Sequence, residues 1–286
     1  LLVCTPSLAA ISDLTLSFAG REGAGKGHKI VLISGDEEYR SEESLPMLAK
    51  ILSQHHGFDC TVLFAIDPTT GIIDPNLQTN IPGLEALVDA DLMIIATRFR
   101  QLPPEQLQSI ANFLQKGGAV IGLRTATHAF TGNAITEGIV WKDFGLNVLG
   151  ETWVNHHGRH MVEGTRAVIE PAQAAHPALR GVHTIFGPSD VYGIKNLGSD
   201  ATILLRGEVT TTLEPDSPAL AGPKNEPMMP LAWLRDYQVP GGSRGRAFCT
   251  TMGASTDLLN GDLRRLIVNA ALYLVGANVP AAADVA

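Results

Sequence analysis

Four short runs in this chain are apolar at consecutive positions: KIVLIS (29–34), CTVLFA (60–65), DLMIIA (91–96) and AVIGL (119–123). A strand that is apolar on both sides must be covered on both sides, which specifies a parallel sheet sandwiched between helices. The intervening segments carry the helical period. A helix from about Ser41 places Leu45, Leu48, Ile51 and Leu52 on one face. Pro103 and Pro104 open a second helix with Leu107, Ile110, Ala111 and Leu114 at i, i+3, i+4, i+7, and Gly117-Gly118 stops it. Beyond it, RAVIE, ATILLR, PLAWLR and RAFCTT read as short strands, and a last helix runs from about Asp257 to Val275. The expectation is one α/β domain over residues 29–277 with a β-rich, loop-rich second half. Residues 1–28 and 278–286 form flanking tails, and the loops between 207 and 245 are long enough to carry function.

The chain has 286 residues, 45% of them apolar, enough for a full core. With 21 basic against 29 acidic side chains the net charge is −8, so no polyanion-binding surface and no nucleic-acid partner are expected. No run approaches the roughly 20 apolar residues of a membrane span. Three cysteines cannot build a disulfide framework, and Cys60 and Cys249, inside strand-like runs, act as small hydrophobes. The opening LLVCTPSLAAI has two readings. As the rear of a secretory signal peptide it makes the protein periplasmic or extracellular; as an N-terminal tail it leaves the protein cytoplasmic. Val3 before Cys4 argues against a lipoprotein signal.

Nucleotide motifs fail on inspection. Gly20 to Gly27 has phosphate-loop spacing, but Gly27 follows Lys26 where Ser or Thr is needed, and the segment precedes the first strand. The turn after that strand is acidic rather than glycine-rich: Gly35, Asp36, Glu37 and Glu38 stand where a pyrophosphate would sit. Ligands of open parallel sheets gather at strand C-termini, which makes Asp36 and Glu37 candidate bases. Arg98 and Arg100 follow the third strand and Arg124 the fourth, so their guanidinium groups can converge on a ligand, or on Asp36, Glu37 or Glu38 as ion-pair partners. Histidines cluster as His128, then His156, His157 and His160 in ETWVNHHGRH, without HEXXH spacing. No G-x-S-x-G elbow occurs. The turn AVIGLRTATHAF has an elbow's shape but offers only Thr125 and Thr127 as hydroxyls, so covalent catalysis is not expected. Trp141, Trp153 and Trp233 serve either core packing or sugar stacking.

The pieces LISGDEEYR, ADLMIIATRFRQLPPEQ, KGGAVIGLRTATHAF, GETWVNHHG, AHPALRG with the later SDVY, PLAWLRDY and GRAFCTTMGAS, in this order from Lys29 to Gly276, resemble the ThuA-like (trehalose-utilisation) family of the class I glutamine amidotransferase-like superfamily. The resemblance implies a flavodoxin-like, doubly wound, mostly parallel sheet with helices on both faces and a site at the strand C-termini. It also implies a link to sugars, including oxidised (3-keto) glucosides. Amidotransferases of the superfamily carry a cysteine at the elbow, where this chain has Arg124, so glutaminase activity is not expected. Many ThuA-like proteins have histidine at the places of Arg124 and Ala254, and a site built on those two histidines would be lost here or rebuilt with arginines, which weakens the carry-over of a metal.

The leading expectation is an enzyme acting on a sugar or 3-keto sugar by isomerisation or another proton transfer. Asp36, Glu37, His128 or His157 would be the base, and Arg98, Arg100, Arg124, Thr125, His156, His160 and Trp153 would bind substrate. The alternatives are a non-catalytic sugar-binding module and a hydrolase using a divalent metal on the histidine cluster. A small-molecule carbohydrate is the expected partner, and a homo-oligomer is compatible with the chain.

Overall fold

A computed structural model describes residues 14–286, so Cys4 and the proposed signal remnant at 1–10 lie outside the described residues. The apolar runs become β2 (Lys29–Gly35), β3 (Asp59–Leu63), β4 (Leu92–Thr97) and β5 (Ala119–Leu123), and RAFCTT becomes β12 (Gly245–Thr250). These five are parallel neighbours in the order β3-β2-β4-β5-β12. Alternate residues feed two cores. Ile30 and Leu32 pack on one side with α1 (Ser41–His56) and α3 (Gly261–Leu274); Val31 and Ile33 pack on the other with α2 (Pro104–Gln115). Both sides of the sheet are thus covered, as the continuous apolar runs require.

The second half extends the same sheet rather than forming a separate layer. Beyond β12 come β11 (Met229–Tyr237), β10 (Thr202–Val209), β8 (Thr165–Ile169) and β9 (Phe186–Gly187), all antiparallel to their neighbours. A small hairpin, β6 (Ile135–Thr136) with β7 (Ile139–Val140), stands apart. At the far edge β1 (Thr15–Phe18) pairs antiparallel with β3, inside a stretch that the sequence offered no pattern for. The C-terminal segment also contacts the domain: Val279, Ala283 and Val285 are buried, and His56 Nε2 lies 2.7 Å from the Asp284 carbonyl. The last helix is shorter than its apolar period suggests. A 3-10 turn (Asp257–Leu259) precedes it, and Asn260 caps α3 by accepting from the Leu263 amide at 2.9 Å. Cys60 and Cys249 are buried free thiols, and burial raises both pKa values. No helix among the described residues is long and apolar enough to cross a membrane.

The parallel register sets the level of the strand ends. Gly35 pairs with Thr97 and Leu123 with Thr250, so the residues following β2, β4, β5 and β12 emerge together. After β5 the chain makes a 3-10 turn (Arg124–His128), backed by Gly145. A Cβ at Gly145 would come within 1.9 Å of the Thr127 carbonyl oxygen. Gly145→Ala is therefore expected to destabilise the protein by about 1–3 kcal/mol through overpacking, read as a lowered urea midpoint. An unchanged midpoint would show that the turn yields freely.

Candidate functional site

The acidic turn after β2 folds on itself. Ser41 Oγ accepts from the Gly35 and Asp36 amides at 3.1 and 3.0 Å, opening α1. Asp36 is buried; its carboxylate accepts from Thr125 Oγ1 at 2.6 Å and from the Glu38 and Tyr39 amides at 3.0 and 3.2 Å. Burial raises its pKa despite these donors. Glu37 ion-pairs with both Arg98 and Arg100. Arg100 is fully buried, and its other donors go to the carbonyls of Arg98, Pro75 and Leu77. Asp36 with Thr125, and Glu37 with Arg100, thus form two pairs that close the turn, with their remaining polar atoms engaged by backbone or by Arg98. Arg98, only partly buried, also meets Glu38 at 3.0 Å and stays at the rim.

Arg124 sits at the elbow with φ +41°, in the left-handed region that side chains rarely adopt. Its guanidinium lies between the rings of Tyr39 and Tyr192, at 4.2 and 4.4 Å from their centroids. It donates to the Thr251 carbonyl at 2.9 Å and to Asp190 Oδ1 at 3.1 Å. Asp190 is itself buried and accepts from two histidines, His156 Nδ1 to Oδ2 at 2.7 Å and His160 Nδ1 to Oδ1 at 3.1 Å. The backbone fixes this meeting. The His157 and Gly158 amides donate to the Val191 carbonyl, and the Gly193 amide donates to Asn155. Nearby, buried Glu151 accepts from the Lys195 and Asn196 amides and ties the same two segments together.

An aromatic row continues from this point. Ring centroids are 4.8 Å apart for Trp153–Tyr192, 5.2 Å for His128–Trp153 and 4.9 Å for Phe99–His128. His128 is buried, its Nδ1 3.2 Å from Thr127 Oγ1. Burial, aided by Arg98, Arg124 and His156, lowers its pKa to about 3, so the ring is neutral near pH 7. Burial also pushes the Tyr39 and Tyr192 phenols up. His156 keeps 34% of its side chain exposed and His160 36%, so both reach solvent beside the row.

Of the histidines in the cluster, His157 does not join. Its Nε2 turns to the Lys224 carbonyl at 2.8 Å. Neighbours in extended chain point to opposite sides, and His156 takes the inward one. Four residues that line the site escaped the sequence reading: Tyr39, Phe99, Asp190 and Tyr192. The SDVY segment carried a signal, because Asp190 and Tyr192, two apart in extended chain, face the same way. A cleft lined by His176, Arg246 and Tyr273 lies at the opposite edge, where β12 begins.

Together these features define an α/β protein with a large, centrally parallel sheet and a polar, aromatic-walled site at its strand C-termini. The chain belongs to the ThuA family, described as trehalose utilisation, whose model matches residues 29–274. Among solved structures it is similar to a ThuA-like protein from Parabacteroides merdae, with TM-score 0.55, 15% identity and coverage of 89% of this chain and 92% of that one. A ThuA-like protein from Bacteroides uniformis is similar with TM-score 0.54, 12% identity and coverage of 90% and 95%. No curated protein matches the chain.

The buried Arg124–Asp190 pair and the buried, neutral His128 ring each carry a measurable consequence. Arg124→Ala leaves the Asp190 carboxylate buried without its strongest partner and should cost about 3–5 kcal/mol, measured by chemical denaturation; a loss under about 1 kcal/mol, no more than an exposed ion pair contributes, would contradict the clamp. His128 is the second case. Its folded pKa lies below the unfolded value of about 6.5, so the unfolded chain binds the extra proton, and this group's stabilisation falls as pH drops from about 6.5 toward 3. The slope is at most about 1.4 kcal/mol per pH unit. His128→Phe should flatten the stability–pH profile in that window relative to the parent; parallel profiles would refute it.

Proposed function

We propose that the protein is a carbohydrate-related enzyme that moves a proton next to the carbonyl of a sugar or oxidised (3-keto) sugar. The family description supports a sugar, and one observation carries the chemistry: the 2.7 Å contact between His156 Nδ1 and the buried carboxylate of Asp190. With Nδ1–H donated to Asp190, the Nε2 lone pair is left to take the proton, and the carboxylate stabilises the imidazolium that forms. Removing the proton from the carbon beside the carbonyl moves negative charge onto the carbonyl oxygen. Arg98 and the neutral His128 are the groups at hand to stabilise that enolate. Return of the proton to the former carbonyl carbon, with the hydroxyl proton of the adjacent carbon passing to the enolate oxygen, gives the isomer; return to the opposite face of the same carbon gives the epimer. Asp36 and Glu37, candidate bases by sequence, act instead as supports in this reading, because their oxygens are already engaged. We also read the five parallel strands as a flavodoxin-like, doubly wound core, which the order β3-β2-β4-β5-β12 and helices on both faces support. Arg124 at the elbow supports the expectation of no glutaminase activity.

Incubation of a 3-keto-glucoside with the protein in D2O, followed by NMR, is expected to show deuterium entering beside the carbonyl. His156→Gln should slow the exchange at least about 100-fold without altering the circular dichroism spectrum. Exchange at the parent rate in that variant would remove His156 as the base.

One observation favours a second reading. One ligand atom each from His156, His160 and Asp190 can be chosen so that all lie within 4.8 Å of one another. The donor set suits a divalent transition metal, although Asp190 would have to exchange its hydrogen bonds from both histidines for the ion. A bound metal would supply Lewis-acid or metal–hydroxide chemistry for hydrolysis. Calorimetric titration of chelator-washed protein with Zn2+ separates the two: about one equivalent bound, lost in His160→Ala, favours the hydrolase, and no heat of binding favours the free imidazole base.

A further inference from the structure

Phe99 follows Arg98 at the end of β4 with φ +52°, a backbone conformation that is a clear outlier for a bulky residue. It is held there from both sides. The Phe99 amide donates to the His128 carbonyl at 3.0 Å, and the flanking Arg98 and Arg100 amides donate to Gly35 and Ala129 at 2.9 and 2.8 Å. A glycine would occupy this position without steric cost. The side chain therefore stands against a backbone penalty, and packing does not repay it: Phe99 is only partly buried and belongs to neither apolar core. Trp153, with no positive φ, is likewise only partly buried and belongs to neither core. Both rings lie instead along the row that His128 joins, with the Arg98 guanidinium 4.8 Å from the Phe99 centroid. Strained residues that serve no core gather where ligands are gripped.

We propose that Phe99, with Trp153, is the apolar platform on which a neutral pyranose ring lies by its C–H face, and that Phe99 is a specificity-determining residue of the site. This rests on the carbohydrate reading above. The chemistry of the rim selects this ligand class. Axial C–H groups of a pyranose pack on aromatic faces, while its equatorial hydroxyls point outward to hydrogen-bonding groups. Arg98, Glu38, His156 and His160 provide donors and acceptors of both kinds.

The test uses the whole chain, with methyl α-D-glucoside, trehalose and a 3-keto-glucoside as probes in saturation-transfer NMR and calorimetry. Phe99→Gly is expected to weaken the probe that the parent binds by at least about tenfold. Its melting temperature should stay equal or rise, because the backbone strain is relieved. Phe99→Trp should retain affinity within about threefold of the parent. Unaltered affinity in Phe99→Gly, with the parent binding a probe, overturns the platform and leaves the carbohydrate reading standing. A melting temperature several degrees lower in Phe99→Gly overturns it as well, since the ring would then be a packing element. Failure of the parent to bind any of the three probes, or tighter binding of adenosine, overturns both.

Discussion

The carboxylate of Asp190 is the point on which the site depends. It is buried and is approached by one guanidinium and two imidazoles that come from different parts of the chain: Arg124 from the elbow after β5, and His156 and His160 from the irregular stretch beyond it. Burying a charge is costly, and such a group persists only when its oxygens are saturated by well-placed donors. Each donor is in turn fixed. Tyr39 and Tyr192 hold the Arg124 guanidinium, and backbone bonds between 155–158 and 191–193 hold the histidines. The carboxylate thus converts two loops and a strand end into one rigid unit, with His156 left facing solvent.

The elbow shows how a shape can be kept while its chemistry changes. The turn after β5 carries the positive φ of a strained strand-to-turn junction, and Gly253 lies against it: a Cβ there would stand 2.9 Å from the Leu123 Cβ. The residue at the apex is a cation that is clamped rather than a nucleophile that is presented. The two readings proposed above differ in whether Asp190 keeps its hydrogen bonds from the two histidines or yields them to an ion.

Much of the fold was legible because its cause is local. Continuous apolar runs bounded by helical periods mark central strands, and they gave four of the five parallel strands; RAFCTT, read as a short strand of the second half, joins the block as β12 through its pairing with β5. The arginines and acids at the strand ends were also visible, since parallel strands deliver their C-termini to one edge. Other features have non-local causes. TLSF became β1 because the edge of β3 was open to it, and nothing in four residues announces that partner. The break before α3 lies inside an unbroken leucine period and comes from the capping side chain of Asn260. Arg98 and Arg100 share a strand parity but not a fate, because the carbonyls of Pro75 and Leu77 surround only the second. Asp190 lies in an irregular segment where the two-residue spacing to Tyr192 is the one readable signal, and its partners Arg124, His156 and His160 stand far along the chain.

All ten strands of the main sheet form one hydrogen-bonded surface, from β1 through the parallel block to β9. The elements that bring Arg98, Arg124 and Asp190 together hang from a single plate rather than from two lobes. The spacing of these groups is therefore set by the levels at which neighbouring strands of one sheet end. The segments around 153–163 and 210–226 are then latched to each other beside this plate, by His157 Nε2 on the Lys224 carbonyl and by the Lys224–Glu163 ion pair, so the wall of the site is fastened by side chains while its floor is fixed by the sheet.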